Sequence, residues 1–302
     1  MTLRWLIALA VVAGALWLLR DQLPAVLALA RTTHPRWGLV AAASVVVLLT
    51  YGILVESWRR VLAALGARLD AGAAAVIWFV SNLARYLPGA LWQLGAMTEM
   101  TRRRGVPVTV STGSAVLITV VNLFTGLAVL AATSAASPNL SAKGKWIVAL
   151  GALGLVVGPF LLPHIARLAQ RVTGRSIVVP QFGIVPVLIA GVATTIAWLA
   201  YGVAFWLLAL AILPGGSRSL VGAIAVYTGS YLVGLLNPAP AGLGAAEGAM
   251  VVMAPQLGLA TSAEALVLAA FVRIWRTVLE VVPGLLALLA GERDRQKKRS
   301  GI

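Results

Sequence analysis

The amino-acid sequence predicts an all-α polytopic membrane protein with six spanning helices and two re-entrant helical hairpins. Three observations lead to this fold class. The 302 residues are 60% hydrophobic and only 11% charged, and six apolar runs are long enough to cross a hydrocarbon core of about 30 Å. Two further apolar segments are interrupted by Pro and Gly. Finally, the two interruptions are related by an internal repeat.

The six uninterrupted runs are separated by loops that offer no room for a soluble domain. They cover residues 3–19, 37–55, 108–131, 146–162, 184–213 and 263–290. We therefore expect a single transmembrane domain over residues 1–290 and a basic cytoplasmic tail over residues 291–302. A cleaved signal peptide is the alternative for the first run, because Arg4 lies at its start and a small-residue Ala28–Ala30 motif follows it.

The first interrupted segment, residues 72–97, contains the stretch "ARYLPGALWQLG" with a break at Pro88-Gly89. Proline removes a backbone donor and glycine weakens helical order, so each half of the segment is too short to span alone. Three arginines precede the segment and three follow it. Since cytoplasmic loops are enriched in Lys and Arg, both ends are expected on the cytoplasmic side. The segment should therefore enter the membrane and return.

The second interrupted segment, residues 220–257, is broken by "NPAPAGLG" at residues 237–244 and has few basic residues beside it. That composition is typical of the outer side. With both termini inside, the predicted topology places 15 Lys and Arg on the cytoplasmic side and six outside. This asymmetry supports cytoplasmic N and C termini. We expect a multi-pass protein of a bacterial-type cytoplasmic (inner) membrane.

An offset of 153 residues aligns the two interrupted segments and the spans beside them. Gly89 then coincides with Gly242, and Gly105 with Gly258. The first repeat would cover about residues 1–133 and the second about residues 146–290. Each contains an odd number of crossings, so the second would be inverted relative to the first. Transporters of this kind hold their substrate near the membrane midplane at broken helices. Chance similarity between Gly- and Ala-rich sequences is the alternative.

Ionisable residues inside the apolar segments are candidate functional residues, because a charge in hydrocarbon is costly unless it is paired or hydrated. Arg85 lies at the first break and has no acidic residue nearby in sequence, so we expect it to bind ligand. Arg273 is expected to bind either a ligand phosphate or Glu247. Arg276 and Glu280 are four residues apart and are expected to pair on one helix face. Asn237 lies at the second break, where it would line a polar route or satisfy broken backbone.

The two motifs, "ARYLPGALWQLG…RRRGV" and "NPAPAGLGAAEG", resemble the flippase-like membrane family that includes the transmembrane region of lysylphosphatidylglycerol synthases. The resemblance implies handling of anionic or glycosylated lipids. The residues that carry the resemblance are Tyr86, Pro88, Gly89, Pro240, Gly242, Gly244, Glu247 and Arg273. Two positions depart from the family pattern. Ala90 stands where a basic residue is common, which leaves the headgroup charge preference open, and Ala241 stands where a glycine is common.

The predicted function is therefore a lipid flippase or transporter for a phospholipid or polyprenyl-phosphate-linked lipid with an anionic headgroup. Arg85, Tyr86, Asn237, Glu247 and Arg273 are the predicted substrate-binding residues. The basic composition is explained by membrane topology and does not indicate nucleic acid. No cofactor, metal or catalytic residue is predicted, since the sequence has no cysteine and no Asp-x-Asp motif. Two alternatives stay open: a membrane-embedded transferase acting on a lipid-linked substrate, and a partner subunit of a synthase or glycosyltransferase. A homo-oligomer is also possible.

Overall fold

The computed structural model describes residues 35–86, 92–135, 183–213, 218–237 and 239–300. Every regular element in these ranges is helical. The eight α-helices are α1 (Trp37–Ala64), α2 (Ala71–Leu83), α3 (Trp92–Arg102), α4 (Val108–Ala135), α5 (Ile184–Ile212), α6 (Leu220–Leu236), α7 (Ala245–Gln256) and α8 (Ser262–Ser300). Short 3-10 turns follow α2 (Ala84–Tyr86) and precede α7 (Pro240–Gly242). The predicted spans at residues 3–19 and 146–162 lie outside the described residues.

Three of the described helices are long and apolar enough to cross a membrane. They are Trp37–Ala64, Val108–Ser134 and Ile184–Ile212, with mean hydropathies of 2.4, 2.3 and 2.0. These helices correspond to three of the six predicted spans. The predicted last span lies within α8, which has 39 residues and continues to Ser300. Residues 291–300, predicted as part of a separate tail, therefore extend the same helix.

The two interrupted segments form pairs of short helices. In the first pair, α2 has 13 residues and α3 has 11, so each is only about 20 Å long or less. Arg104, just after α3, lies 3.6 Å from Asp70, which caps α2. At the other end, Gln93 Nε2 donates to Asn82 Oδ1 over 2.5 Å. The two helices are therefore antiparallel.

The second pair, α6 and α7, has the same antiparallel arrangement. A Cβ built on Gly222, near the start of α6, would lie 3.1 Å from the carbonyl oxygen of Leu257, just after α7. A Cβ on Gly234, near the end of α6, would lie 2.8 Å from Cβ of Ala246. Small residues at these positions allow the two helix backbones to approach closely.

The helices pack in a pattern that places the ends of both short pairs beside α8. The most extensive contact is between α1 and α5. Helix α2 packs against α8, and α4 packs against both α5 and α6. The two 3-10 turns also contact each other. We call the residues that connect the two helices of each pair a tip: the first tip includes Leu83–Tyr86, and the second includes Asn237 and residues 239–244. Leu83 and Tyr86 of the first tip form an apolar cluster with Leu243 of the second tip and Val281 of α8. The two tips and α8 therefore meet in one region.

The starts of α3 and α7 and of α4 and α8 follow the 153-residue offset of the sequence, whereas α1 and α5 begin 147 residues apart. Trp92 and Ala245, the first residues of α3 and α7, are 153 residues apart. Val108 and Ser262 begin the following helices, α4 and α8, at almost the same offset. Gly105 and Gly258, which precede those helices, both have positive φ angles, 82° and 66°. Glycine adopts this conformation without the steric cost that other residues incur.

Candidate functional site

The first tip presents Arg85 and Tyr86 to α8. Helix α2 is stabilised at its start by Asp70, whose Oδ1 accepts a hydrogen bond of 2.7 Å from the backbone N–H of Ala73. At its end the helix tightens into the 3-10 turn that contains Arg85 and Tyr86. Gly284 of α8 allows the close contact, because a Cβ there would lie 2.6 Å from the Leu83 side chain. The sequence thereby brings two polar residues of the tip onto a charged face of α8.

Arg85, Arg276 and Glu280 form a cluster that we call the buried triad. Glu280 Oε1 accepts hydrogen bonds from Arg85 Nη1 at 3.1 Å and from Arg276 Nε at 2.8 Å. The Glu280 side chain is only 6% exposed, and those of Arg85 and Arg276 are 21% and 23% exposed. One carboxylate thus serves two guanidinium groups, which leaves the triad with one excess positive charge.

Two tyrosines complete the surroundings of the triad. Tyr86 donates its hydroxyl hydrogen to Glu280 Oε2 over 2.8 Å. Arg85 Nη2 donates to the Tyr231 hydroxyl over 3.3 Å. The guanidinium carbon of Arg276 lies 4.4 Å from the centroid of the Tyr231 ring, a cation–π arrangement. Helices α2, α6 and α8 are joined at this point by polar contacts.

The second tip is built from residues with unusual backbone conformations. Gly242 and Gly244 have φ angles of 69° and 79°, and Ala241 has a φ of 50°. Glu247 Oε2 accepts a hydrogen bond of 2.8 Å from the Gly244 backbone N–H, which caps the start of α7. Asn237 Oδ1 accepts from the Ala239 N–H over 3.0 Å. Asn237 therefore satisfies the backbone of the turn, one of the two roles predicted for it.

Arg273 joins this tip to α8. Its Nη1 lies 3.2 Å from Glu247 Oε1 and donates to the Ala241 carbonyl oxygen over 2.9 Å. Of the two partners expected for Arg273, a ligand phosphate or Glu247, the structure shows Glu247. Arg273 is 8% exposed, and its Nε and Nη2 are buried without a hydrogen-bond partner among the described residues. Buried guanidinium N–H groups without a partner are costly, so these atoms mark a place for an acceptor.

The structure brings most of the predicted site residues together. Arg85, Tyr86 and Glu247 lie beside α8, whose Glu280 contacts the first tip and whose Arg273 contacts the second. Asn237 lies at the end of α6, in the second tip. Gly242, Gly244 and the backbone of Pro240 form the second turn as expected. Pro88 and Gly89 lie outside the described residues.

Sequence reasoning missed the shared role of Glu280 and the participation of Tyr231. Glu280 was assigned to Arg276 alone, from their spacing of four residues. Its second partner, Arg85, is 195 residues away, and no local pattern relates the two positions. Tyr231 is four residues after Tyr227 on α6, a spacing that places both on one face of that helix. This shared face is the feature of the sequence that could have indicated a role for Tyr231.

The other end of the molecule carries clusters of the same residue types in exposed positions. Glu56 accepts hydrogen bonds of 2.7 Å from both Arg59 Nε and Arg60 Nε, and we call these three residues the exposed triad. Glu99 is bonded in the same way by Arg102 and Arg103. The hydrogen bonds from these arginines lower the pKa of the Glu99 carboxyl to about 2. These clusters are ordinary surface ion pairs.

Replacing Ala241 by glycine is expected to raise the free energy of unfolding by up to about 1 kcal/mol. Ala241 has a positive φ, where an alanine Cβ costs about 1–2 kcal/mol, and the gain is reduced by the greater chain entropy of glycine. Thermal unfolding of the purified protein in detergent measures the change. The control is Ala249→Gly inside α7, which should lose about 1 kcal/mol. Equal losses in both variants would contradict the prediction.

One of three comparisons with known proteins identifies a family. No curated protein and no solved structure is significantly similar to the chain. The model of the family described as the lysylphosphatidylglycerol synthase TM region matches residues 5–284. This match covers the three long apolar helices and both tips. The chain therefore belongs to the lysylphosphatidylglycerol synthase TM region family, and it is a multi-pass membrane protein related to lipid modification.

Proposed function

We propose that the protein is a lipid transporter that binds the phosphate of an anionic headgroup beside α8 and moves it across the membrane. The observation that carries this proposal is the excess positive charge at the two tips. Arg85, Arg273 and Arg276 face only two carboxylates, those of Glu247 and Glu280. An uncompensated charge in a low-dielectric region is costly, so an anionic ligand would stabilise this arrangement.

The positions of the arginines suit a phosphate group. Arg276 and Arg85 share one carboxylate oxygen, and both side chains keep about a fifth of their surface exposed. Arg273 adds two guanidinium nitrogens, Nε and Nη2, that lack a partner in the described structure. Arginine binds phosphate through two parallel hydrogen bonds, which gives both affinity and orientation. The phosphate of a headgroup would therefore accept hydrogen bonds from arginine N–H groups that have no partner within the protein.

We infer further that the two short helix pairs are re-entrant hairpins within an inverted repeat. Four features support this inference. The starts of α3 and α7 are 153 residues apart, and those of α4 and α8 are 154 apart. Helix α2 packs on α8 as its counterpart α6 packs on α4. The two corresponding spans α1 and α5 pack together, and the two 3-10 turns contact each other. In transporters with inverted repeats, the substrate lies where broken helices meet, and the halves rearrange around it.

The proposed orientation places the arginine-rich end in the cytoplasm. Arg59 and Arg60 lie near the end of α1, and Arg102–Arg104 lie at the end of α3. The contact of Arg104 with Asp70, between α1 and α2, places both groups at the same end of the protein. An end rich in arginine suits the side with anionic lipids, and it supports an inner-membrane location with this end inside. A homo-oligomer or a lipid-modifying enzyme partner is compatible with this orientation.

The proposed role contains no chemical step. A transferase needs a general base, and Glu247 is the acidic residue of the second tip. Its two carboxylate oxygens bind Arg273 and the Gly244 N–H. Both oxygens therefore already have partners, and neither is free to accept a proton from a substrate. Incubation of the pure protein with lipid acceptors and activated donors, followed by mass spectrometry, should therefore give no transferred product.

Arg85→Gln tests the transport proposal. The variant removes the excess charge but leaves Glu280 paired with Arg276 at 2.8 Å, so the protein should still fold. We expect movement of fluorescent phosphatidylglycerol across reconstituted liposomes to fall at least about tenfold, because one charge-assisted contact to phosphate contributes about 1.5–3 kcal/mol. Arg273→Gln should act in the same direction.

The matched control is Arg59→Gln in the exposed triad. It removes one arginine from a cluster of identical composition outside the tips, and transport should be unchanged. Undiminished transport in both Arg85→Gln and Arg273→Gln, with normal folding, would contradict the proposal. Equal losses in all three variants would assign the effect to general surface charge.

A further inference from the structure

The described helices pack around two separate apolar clusters. The large core joins the second pair to α8, and its buried members include Leu232 of α6, Met250 of α7 and Leu268 of α8. The small core joins the first pair to α1 and α4, and its buried members include Ile77 of α2 and Met97 of α3. No residue of α8 belongs to the small core in the part of the chain that the structure describes. The two short pairs are therefore attached to different parts of the protein.

Polar contacts fix the second pair to α8 at both of its ends. At the tip, Arg273 of α8 lies 3.2 Å from Glu247 and donates to the Ala241 carbonyl oxygen. At the base, Arg218 just before α6 lies 3.0 Å from Glu264 in the first turn of α8, and both side chains are largely buried. Together with the large core, these contacts make the second pair and the start of α8 one packed unit.

The first pair contacts α8 through polar bonds and a small apolar cluster. Arg85 and Tyr86 bond to Glu280, and the apolar cluster around them has two buried members among the described residues, Leu83 and Tyr86. Leu83 packs on Gly284, which has no side chain to interlock with it. Contacts that bury little apolar surface separate more easily than a packed core, and water or a ligand can replace their polar bonds.

The base of the first pair has no ion pair to α8 among the described residues. Arg104 lies 3.6 Å from Asp70, which joins the two ends of the first pair to each other. These side chains are 48% and 72% exposed, so water screens their attraction. Phe79 of α2 does reach the large core, where its ring centroid lies 5.9 Å from that of Tyr51 of α1. That contact is with α1 and does not fix the first tip to α8.

We propose that the first pair is the gate of the transporter: its tip separates from α8 to admit a ligand, while the second pair stays attached to α8. The inference rests on the proposed transport function and names the element that moves. In the closed state of the structure, Glu280 is the partner of both Arg85 and Tyr86. A phosphate that enters would replace Glu280 as the partner of Arg85. Glu280 would keep Arg276, so separation leaves neither charge unpaired.

A reversible disulfide between the first tip and α8 tests this gate. The chain contains no cysteine, so the only cysteines are the two introduced by Leu83→Cys with Gly284→Cys. A Cβ on Gly284 would lie 2.7 Å from Leu83 Cγ, which brings the two Cβ atoms close to the span of about 3.5–4.5 Å in a disulfide. We expect the oxidised variant to move fluorescent phosphatidylglycerol across liposomes at least about tenfold more slowly than the same protein after reduction, because transport requires the open state.

The reactivity of single buried cysteines measures the opening without a cross-link. Leu83→Cys and Leu232→Cys are matched exchanges, since the two leucines are 3% and 4% exposed and lie in the first and the second pair. In phosphatidylglycerol liposomes, we expect a water-soluble methanethiosulfonate reagent to modify Leu83→Cys at least about tenfold faster than Leu232→Cys, because only the first pair opens to water.

The outcomes separate the gate from the transport function. If the oxidised double variant, with its disulfide verified by mass spectrometry, transports as fast as the reduced one, the gate is overturned and transport still stands. Equal modification of the two single cysteines also overturns the gate, because both pairs would then open or neither would. If the wild type moves no lipid, the transport proposal fails, and the cysteine reactivities still show whether the first pair opens. These reactivities also decide the matter if the double variant is inactive after reduction.

Discussion

Replacing Glu280 by glutamine is expected to lower the free energy of unfolding by about 3–5 kcal/mol, the cost of breaking a buried ion pair from one side. Glu280 is 6% exposed and is the shared acceptor of Arg85 and Arg276. Glutamine has nearly the same shape but no charge. Two guanidinium groups would then lie side by side without a counter-ion, and the hydroxyl of Tyr86 would lose a charged acceptor.

The exposed triad provides a matched control for this variant. Glu56 also serves two arginines, but its side chain is 36% exposed and those of Arg59 and Arg60 are 36% and 64% exposed. Glu56→Gln should therefore cost no more than about 1 kcal/mol. Thermal or denaturant unfolding in detergent micelles measures both variants. Because both variants exchange Glu for Gln beside two arginines, the difference between their losses in free energy of unfolding reports the effect of burying the triad.

A third variant identifies the origin of the loss. Combining Glu280→Gln with Arg276→Gln removes one negative and one positive charge, so the net charge of the triad returns to that of the wild type. The double variant should therefore recover part of the stability that Glu280→Gln loses. Anionic lipid added to the single variant should also recover part, because ligand binding stabilises the folded state. If Glu280→Gln costs no more than Glu56→Gln, water reaches the triad, and the excess positive charge needs no ligand.

The local features of the site could be predicted from sequence, whereas its long-range features could not. The pairing of Arg276 with Glu280 follows from a spacing of four residues on a helix, and it is confirmed at 2.8 Å. Arg85 and Glu280 meet only because α2 packs on α8. That contact depends on small residues such as Gly284 and on tertiary packing, which a single sequence does not specify.

The helix ends also include some that the sequence predicts and one that it does not. The breaks between α2 and α3 and between α6 and α7 were predicted from Pro and Gly, which act within a few residues. The end of α8 was predicted near residue 290, but the helix continues to Ser300. The segment "ERDRQKKRS" ends the apolar run, yet it consists mainly of residues that favour helices. Loss of hydrophobicity was therefore a poor indicator of the helix end.

Gly242→Ala is expected to be the most damaging exchange of a glycine in the second tip, with a loss of about 2–5 kcal/mol. Two effects add. Gly242 has a φ of 69°, which is strained for alanine. Its added Cβ would also lie 2.6 Å from the Gly234 carbonyl oxygen and 2.9 Å from the Gly234 Cα. Backbone atoms cannot rotate away as a flexible side chain can, so the turn and α6 would have to separate.

Two neighbouring glycines separate these effects. Gly244 has a φ of 79° but open space around its Cβ position, so Gly244→Ala should lose only the backbone strain of about 1–2 kcal/mol. Gly248 is inside α7 and also has open space, so Gly248→Ala should be neutral or gain up to about 1 kcal/mol. Unfolding of the three variants under one set of conditions gives the order.

The Gly242→Ala exchange should also displace the contact that Arg273 makes with the second tip. The Ala241 carbonyl oxygen, which accepts from Arg273 Nη1 over 2.9 Å, is adjacent to Gly242 and moves with the turn. Gly242→Ala should therefore weaken phosphatidylglycerol binding beyond the change in Gly244→Ala, in proportion to its additional loss of stability. If the two variants are equally stable, the second tip moves away from α6 at no cost, and the Gly234 backbone does not fix the position of the tip. If Gly242→Ala unfolds readily but binds lipid normally, Arg273 contributes to stability and not to the headgroup site.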